Sequence, residues 1–310
     1  MKCRACCLVL AISFVWGGTP TPSTAETSPS APSRPAQFTA LDLRKADAKA
    51  LVRWLGDAYG PTRSAAVREI GRRKLVTANQ SVRSLLTDPL LAVRVDAAEV
   101  LLGFGDESGL PTLKSILADK SATPATALRA AGLLAKENDE SGKVLALSQL
   151  SSPYFTNRSR ALDVLKESKD ADVAYSAMSI GLADSSSFVR MAAIRHLGEM
   201  ATMRSLALLQ QALTSTERVE RSYAFEAIGR TRLWAGVPML IGALGDAELG
   251  VRYVAASELR GLTGQTYDPR VLDKPESVRQ LQKQWSEWWD ANKAKHSDGE
   301  KSTLPAPRKR

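Results

Sequence analysis

The sequence predicts an all-α fold: an α-solenoid of about seven helical hairpins with capping helices at both ends. Three observations predict it. A unit recurs seven times, beginning at Thr62, Val93, Thr126, Asn157, Val189, Glu220 and Val251, at intervals of 31 to 33 residues. Its fifth position is Ala in every copy: Ala66, Ala97, Ala130, Ala161, Ala193, Ala224 and Ala255. Its ninth is always Ile or Leu: Ile70, Leu101, Leu134, Leu165, Leu197, Ile228 and Leu259. A fixed period in the thirties marks stacked supersecondary units. Positions 1, 5 and 9 share one helical face. An invariant methyl group there admits the neighbouring helix, where a bulkier residue would cost roughly 1–3 kcal/mol in overpacking.

A second helix follows in each copy, with apolar positions 18, 21 and 25, as in Leu110, Leu113 and Leu117. Asp88, Asp119 and Asp246 close it at position 27. One hairpin cannot bury its own apolar face, so the hairpins stack into a continuous core. Position 2 is Arg in six copies (Arg63, Arg94, Arg158, Arg190, Arg221 and Arg252) and Ala127 in the third. A guanidinium fork suits carboxylate and carbonyl oxygens, so this column is expected to tie adjacent turns rather than bind phosphate.

The V-R-x-x-A-A-x-x-L-G-x-x-G-D pattern, over about residues 41–262, resembles the HEAT-like repeats of the phycobilisome-lyase type. The resemblance implies a right-handed α-solenoid (superhelix) and no single activity. Such repeats occur in lyases, adaptors and scaffolds.

The ends differ from the repeats. Residues 1–25 have a basic start (Lys2, Arg4), a short apolar run (Leu8–Trp16) and a small-residue site ending at Ala25. They read as a secretory signal peptide cut after Ala25, with no transmembrane anchor left behind, which places the protein in the periplasm or outside the cell. An uncleaved anchor is the alternative. All three cysteines (Cys3, Cys6, Cys7) lie in this segment, so the expected mature chain has no disulfide or thiolate site. Residues 26–40 read as a Pro/Ser-rich tether. Leu41–Asp57 aligns as a half-repeat covering the first end, with Ala48, Leu51, Leu55 and Asp57 at positions 18, 21, 25 and 27. At the other end a turn (T-G-Q-T-Y-D-P) precedes a helix over 275–292. Its Val278, Leu281, Trp285, Trp288 and Trp289 follow 3/4 spacing, as a plug over the last repeat requires. This ending resembles the C-terminal cap of exported bacterial HEAT-repeat proteins of unassigned role. Residues 293–310 read as a disordered basic tail, a weak electrostatic hook for anionic surfaces.

The net charge of +9 does not point to nucleic acid. The first segment carries +2 and the tail +4, leaving +3 on residues 41–292. A phosphate-tracking groove needs a continuous basic stripe.

Second helices line the concave face in HEAT-like stacks. Their outward positions 19, 23 and 26 hold no charge in six copies, and position 23 is Ser in four running. Two readings compete: small uncharged residues that simply allow tight curvature, or a smooth hydrogen-bonding groove for an extended segment of another protein, with Ser84, Ser115, Ser148, Tyr175, Ser179 and Gln211 as the candidate protein-binding residues. First helices carry mixed charge at position 7: Arg68, Glu99, Gly132, Asp163, Arg195, Glu226 and Ser257. No catalytic, cofactor or metal residue is assigned. His196 reads as a half-buried helix residue, and no Cys/His cluster has metal spacing. The iron-binding HEAT-like hydroxylases use His-Glu pairs, whereas His196 is followed by Leu197. The expectation is a non-catalytic, cofactor-free scaffold that binds another protein or an envelope component. The alternative, on resemblance alone, is a bilin-lyase-like enzyme or a chaperone for a tetrapyrrole-carrying protein.

Overall fold

A computed structural model describes residues 40–304 except 267 and 298. The segment expected to be a signal peptide, nearly all of the expected tether and residues 305–310 lie outside the described residues. The described residues form sixteen α-helices and no strand, with one isolated antiparallel bridge between Leu233 and Lys301.

The helices form two layers. The entry helices are α1 (Ala40–Lys45) and α2 (Ala48–Trp54). First helices of the repeat follow as α3 (Gly60–Arg72), α5 (Leu91–Gly103), α7 (Pro124–Lys136), α9 (Phe155–Leu165), α11 (Ser187–Met200), α13 (Arg218–Thr231) and α15 (Leu249–Thr263). Between them lie the second helices α4 (Asn79–Arg83), α6 (Leu110–Ala118), α8 (Lys143–Gln149), α10 (Ala171–Leu182), α12 (Met203–Ala212) and α14 (Val237–Ala243). Each first helix packs on the next, from α3 through to α15. The cap is α16 (Pro275–Asn292), which lies on α14.

The alanine column is the seam of the first layer. All seven alanines have no exposed surface, and neither do the seven Ile or Leu residues at position 9. In the second layer position 21 is buried throughout (Val82, Leu113, Ala146, Ala177, Leu209, Leu240). Positions 18 and 25 are buried less regularly, and Leu85, Ile116, Ala212 and Ala243 at position 24 join the core instead. The second helices are thus rolled slightly from the expected face. In the half-repeat Leu51 and Leu55 are buried, while Ala48 is exposed at the start of α2.

Recurring turn chemistry fixes the angle between paired helices. The first helix ends on a residue in the left-handed region at position 13: Lys74, Gly105, Asn138, Ala201 and Arg232. Position 14 caps the second helix or the short 3-10 turn that leads into it in four copies, with Asp106, Asp139, Asp170 and Thr202 accepting from backbone N–H groups two or three residues on. Gly109 and Gly142 follow at position 17. A methyl group added at either would lie within 2.8 Å of Ala98 or Ala131 on the first helix, so only glycine admits this crossing.

The arginine column behaves as a structural clamp. Arg63 holds the Asp88 carboxylate through two nitrogens at 2.6 and 2.8 Å, and Arg94 donates to the Asp88 carbonyl. Asp184 links Arg158 and Arg190 in the same way, and Asp246 links Arg221 and Arg252. Where position 27 is Ser215, Glu220 replaces the aspartate as the partner of Arg190. The clamp is interrupted at Ala127, whose copy carries Ser152 in place of Asp.

The C-terminal segment departs from expectation. The tail reads as disordered, yet residues 293–304 pack back on the last repeats, 298 aside. The His296 ring stacks on Trp234 with centroids 3.7 Å apart. Ser302 Oγ donates to the Leu262 carbonyl at 2.7 Å, and Ser302 N donates to the Arg232 carbonyl at 2.8 Å. Trp234 N donates to the Glu300 carbonyl at 3.1 Å. The polar tail buries little apolar area of its own. Its order comes instead from carbonyl groups left unpaired at the ends of α13 and α15. Trp285 is buried and Trp288 and Trp289 half-buried, with Trp289 stacked on Trp234 at 6.4 Å.

Candidate functional site

The second-helix face was the sequence candidate. Ser84, Ser115, Ser148 and Gln211 are exposed there, and Ser179 is half-buried. The three exposed serines donate inward. Ser84 Oγ bonds the Ser81 carbonyl at 2.8 Å, Ser115 Oγ that of Thr112 at 2.8 Å, and Ser148 Oγ that of Leu145 at 2.7 Å. These hydroxyls bond back to carbonyls three residues earlier in the chain, so a ligand meets acceptors only. Tyr175 corrects the expectation for its position. It is buried, its hydroxyl bonded to Thr202 Oγ1 and its ring 4.4 Å from the Arg204 guanidinium. In α10 the packed face includes Tyr175 and Met178, which turns position 19 inward.

The charged caps sit on the same layer. Arg83 reaches Asp106 at 2.6 Å and Lys114 reaches Asp139 at 2.6 Å. Lys114 and the Ser141 bonds hold the Asp139 carboxyl down at about 2. Asp106 is likewise lowered, first by Arg83. These pairs tie successive hairpins together and leave little unpaired charge on that side.

The first-helix face carries a groove that the sequence did not single out. One recess, about 350 Å³, is lined by Glu99 of α5, Arg129, Gly132 and Lys136 of α7, Arg160 and Asp163 of α9, Lys166, and Arg195 of α11. A second, about 570 Å³, is lined by Phe155, Arg160, Phe188, Met191, Arg195 and Tyr223. Arg160 and Arg195 line both, so the recesses meet there. The first recess exists because position 7 of α7 is Gly132, where other copies project a side chain. A Cβ built there would meet only Val164, at 3.9 Å. The second recess has aromatic walls. Phe155 and Phe188 stack with centroids 5.4 Å apart across α9 and α11, yet remain 43% and 63% exposed.

Most charges around the first recess are paired. Arg129 bonds Asp96 at 2.7 Å and Glu99 at 2.8 Å. Arg195 reaches Asp163 and Glu199, both at 3.2 Å, and Lys166 reaches Glu199 at 2.7 Å. Among the described residues the side chains of Arg160 and Lys136 make no ion pair or hydrogen bond.

His196 lies beneath this network. It is fully buried rather than half-buried, with Nε2 2.8 Å from Asp163 and Nδ1 3.2 Å from Glu199. Burial pushes the Glu199 carboxyl up, but Lys166 and His196 outweigh it and hold the group at about 2. Asp163 is also held low, the His196 and Arg195 bonds overcoming its burial. The imidazole faces the protein, so it braces α9 against α11 rather than meeting a ligand. Among the described residues no group of three or more His, Cys, Asp or Glu is placed to hold a metal ion. A smaller recess of about 150 Å³ lies at the cap, between Gln265, Leu281, Trp285 and Trp288.

The groove residues were visible in the sequence only as exceptions to the repeat. Phe155 and Phe188 precede position 1 of their copies, outside the 1/5/9 frame. Gly132 is the one glycine in a column of mostly charged residues.

The comparisons with known proteins agree with the repeat register. The family model for HEAT repeats matches residues 48–134, and that for the PBS lyase HEAT-like repeat matches residues 189–215. The chain carries HEAT-like repeats over these two stretches. No curated protein matches the sequence. Similar solved structures include YibA of Escherichia coli, at 15% identity over 80% of this chain and 98% of that one, with a TM-score of 0.46. The complex of CpcE and CpcF of phycocyanin lyase from a Nostoc species matches at 18% identity over 83% and 100% of the two chains, with a TM-score of 0.46. Human deoxyhypusine hydroxylase matches at 18% identity over 78% and 96%, with a TM-score of 0.31. Among the described residues no helix is long and apolar enough to cross a membrane.

Proposed function

We propose that this protein is a non-catalytic, protein-binding scaffold of the cell envelope. The observation that carries the reading is a recurrence of exposed large apolar residues at the starts of first helices. Tyr59, Leu90, Phe155, Phe188, Val219 and Leu249 all stand there with at least 39% of their surface in water. Apolar residues repeated along one edge of a stack mark a surface that another molecule covers. Repeat proteins gain partners through extended surfaces of this kind. The envelope part of the reading is supported by the basic start, apolar run and small-residue site of residues 1–25.

Affinity capture tests the scaffold reading. The chain from residue 26 onward, immobilised and washed with an envelope extract, should retain a defined protein that mass spectrometry identifies. Retention of nothing above an unrelated helical repeat control would count against it. Cell fractionation with intact-mass measurement tests export. The expected product begins at Glu26 and partitions with the envelope; a cytoplasmic chain with residues 1–25 intact would refute it.

A further inference from the structure

We propose that the groove across α7, α9, α11 and α13 binds an extended acidic segment of another protein that also carries aromatic or aliphatic side chains. This rests on the scaffold reading and names the partner's chemistry and its place. The argument starts from charge. The first recess is lined by Arg129, Lys136, Arg160, Lys166 and Arg195 against Glu99 and Asp163, a surplus of three positive charges. Among the described residues the Arg160 and Lys136 side chains have no ion-pair or hydrogen-bond partner, so both offer their donors to an incoming carboxylate. Arg160 lies where the recesses join, with the exposed Phe155, Phe188 and Tyr223 beyond it. A ligand spanning both must present anionic groups to one half and apolar groups to the other.

Two features favour a polypeptide over a membrane or nucleic acid. The aromatic rings line an open, shallow recess of about 570 Å³, room enough for side chains of an extended peptide. Glu99 and Asp163 are interleaved with the cations, which would repel a continuous phosphate backbone or an anionic lipid plane. An extended peptide can place its carboxylates beside Arg160 and Lys136 and avoid the two acids.

Fluorescence anisotropy with the chain from residue 26 onward tests this. The probe is a labelled Gly-Glu-Phe-Glu-Asp-Leu-Glu-Gly peptide. Two controls replace its acids by Lys or its Phe and Leu by Ser. Separate arms use phosphatidylglycerol vesicles and a single-stranded oligonucleotide. The acidic, apolar peptide should bind at least about tenfold more tightly than either control, a discrimination of about 1.4 kcal/mol, and binding should weaken as salt rises. Arg160→Glu, Phe188→Ser and Gly132→Glu should each weaken it about tenfold, with circular dichroism and melting temperature unchanged. A Cβ at Gly132 meets only Val164, at 3.9 Å, Phe188 is 63% exposed, and the Arg160 side chain has no ion-pair partner among the described residues, so the fold should be retained. Ser148→Glu on the other face should leave binding unchanged. Equal binding of the Lys control, insensitivity to the three variants, or preference for vesicles or oligonucleotide would overturn the assignment. If envelope capture persists in an Arg160→Glu, Phe188→Ser double variant, this groove falls while the scaffold reading stands; loss of all capture by the unaltered chain defeats both.

Discussion

Arg63 grips Asp88 through two guanidinium nitrogens, at 2.6 and 2.8 Å, while its third donates to the Asp57 carbonyl of the preceding turn at 2.8 Å. One side chain therefore ties the turn before its hairpin to the turn after it. The same geometry recurs at Arg158 and Arg221, which is why the column is arginine. A lysine has no fork and could satisfy only part of this set.

Removing one partner leaves a buried charge. Asp88→Ala should lower unfolding free energy by about 2–4 kcal/mol, because the Arg63 side chain is only 10% exposed. Arg63→Lys should cost less but remain clearly destabilising. Urea denaturation at neutral pH measures both. Values near zero would mean the clamp is ornamental.

The alanine seam makes a sharper demand. Ala193 has no exposed surface, whereas Ala207 on α12 is exposed. Ala193→Leu should cost about 1–3 kcal/mol or more through overpacking between neighbouring first helices. Ala207→Leu should stay within about 0.5 kcal/mol of wild type. Thermal unfolding of the pair compares them within one protein, and equal melting temperatures would contradict the packing described.

Ala201 occupies the left-handed region with φ 51° at the end of α11. A side chain there costs roughly 1 kcal/mol that glycine avoids. Ala201→Gly should therefore stabilise the fold by several tenths to about 1 kcal/mol, less the extra freedom of the unfolded glycine. Destabilisation would show that the Ala201 methyl group contributes packing that outweighs its strain.

Acid should destabilise the stack in a defined window. Glu69 is lowered to about 2 by Arg72 and Arg73, and Glu199 to about 2 by Lys166 and His196 against its burial. Asp139 is held at about 2 by Lys114. Folded values below the unfolded ones mean the folded state binds fewer protons. Their contribution is complete above the ordinary glutamate value of about 4.5 and is lost as pH falls through about 2. Denaturant titrations at about pH 5 and about pH 3 should show a clear drop, smaller in Glu69→Gln. An identical drop in that variant would remove Glu69 from the account.

Much of the fold was legible because its signals are periodic. Seven alanines and seven Ile or Leu residues at fixed spacing define the buried seam, and the bounds of α16 match the expected 275–292. The arginine column was readable too, since a fork among aspartates and turn carbonyls has few other uses. The site was less legible for a physical reason. A repeat highlights what recurs, and the groove is made by what does not: a missing side chain at Gly132, unpaired Arg160, and rings at Phe155 and Phe188 outside the frame. The serines looked like a ligand surface because spacing shows where a hydroxyl points but not which carbonyl it satisfies. The tail misled because its order depends on carbonyl groups supplied by α13 and α15, far away in the chain.

Which face of the stack engages a partner is settled most directly by one capture experiment with two triple variants. Envelope extract is passed over wild-type chain, over Phe155→Ser/Phe188→Ser/Tyr223→Ser, and over Ser84→Glu/Ser115→Glu/Ser148→Glu, each checked for unchanged melting temperature. The account predicts that the aromatic triple loses the captured protein while the serine triple keeps it. Retention by the aromatic triple with loss in the serine triple would contradict it and return the binding surface to the second helices.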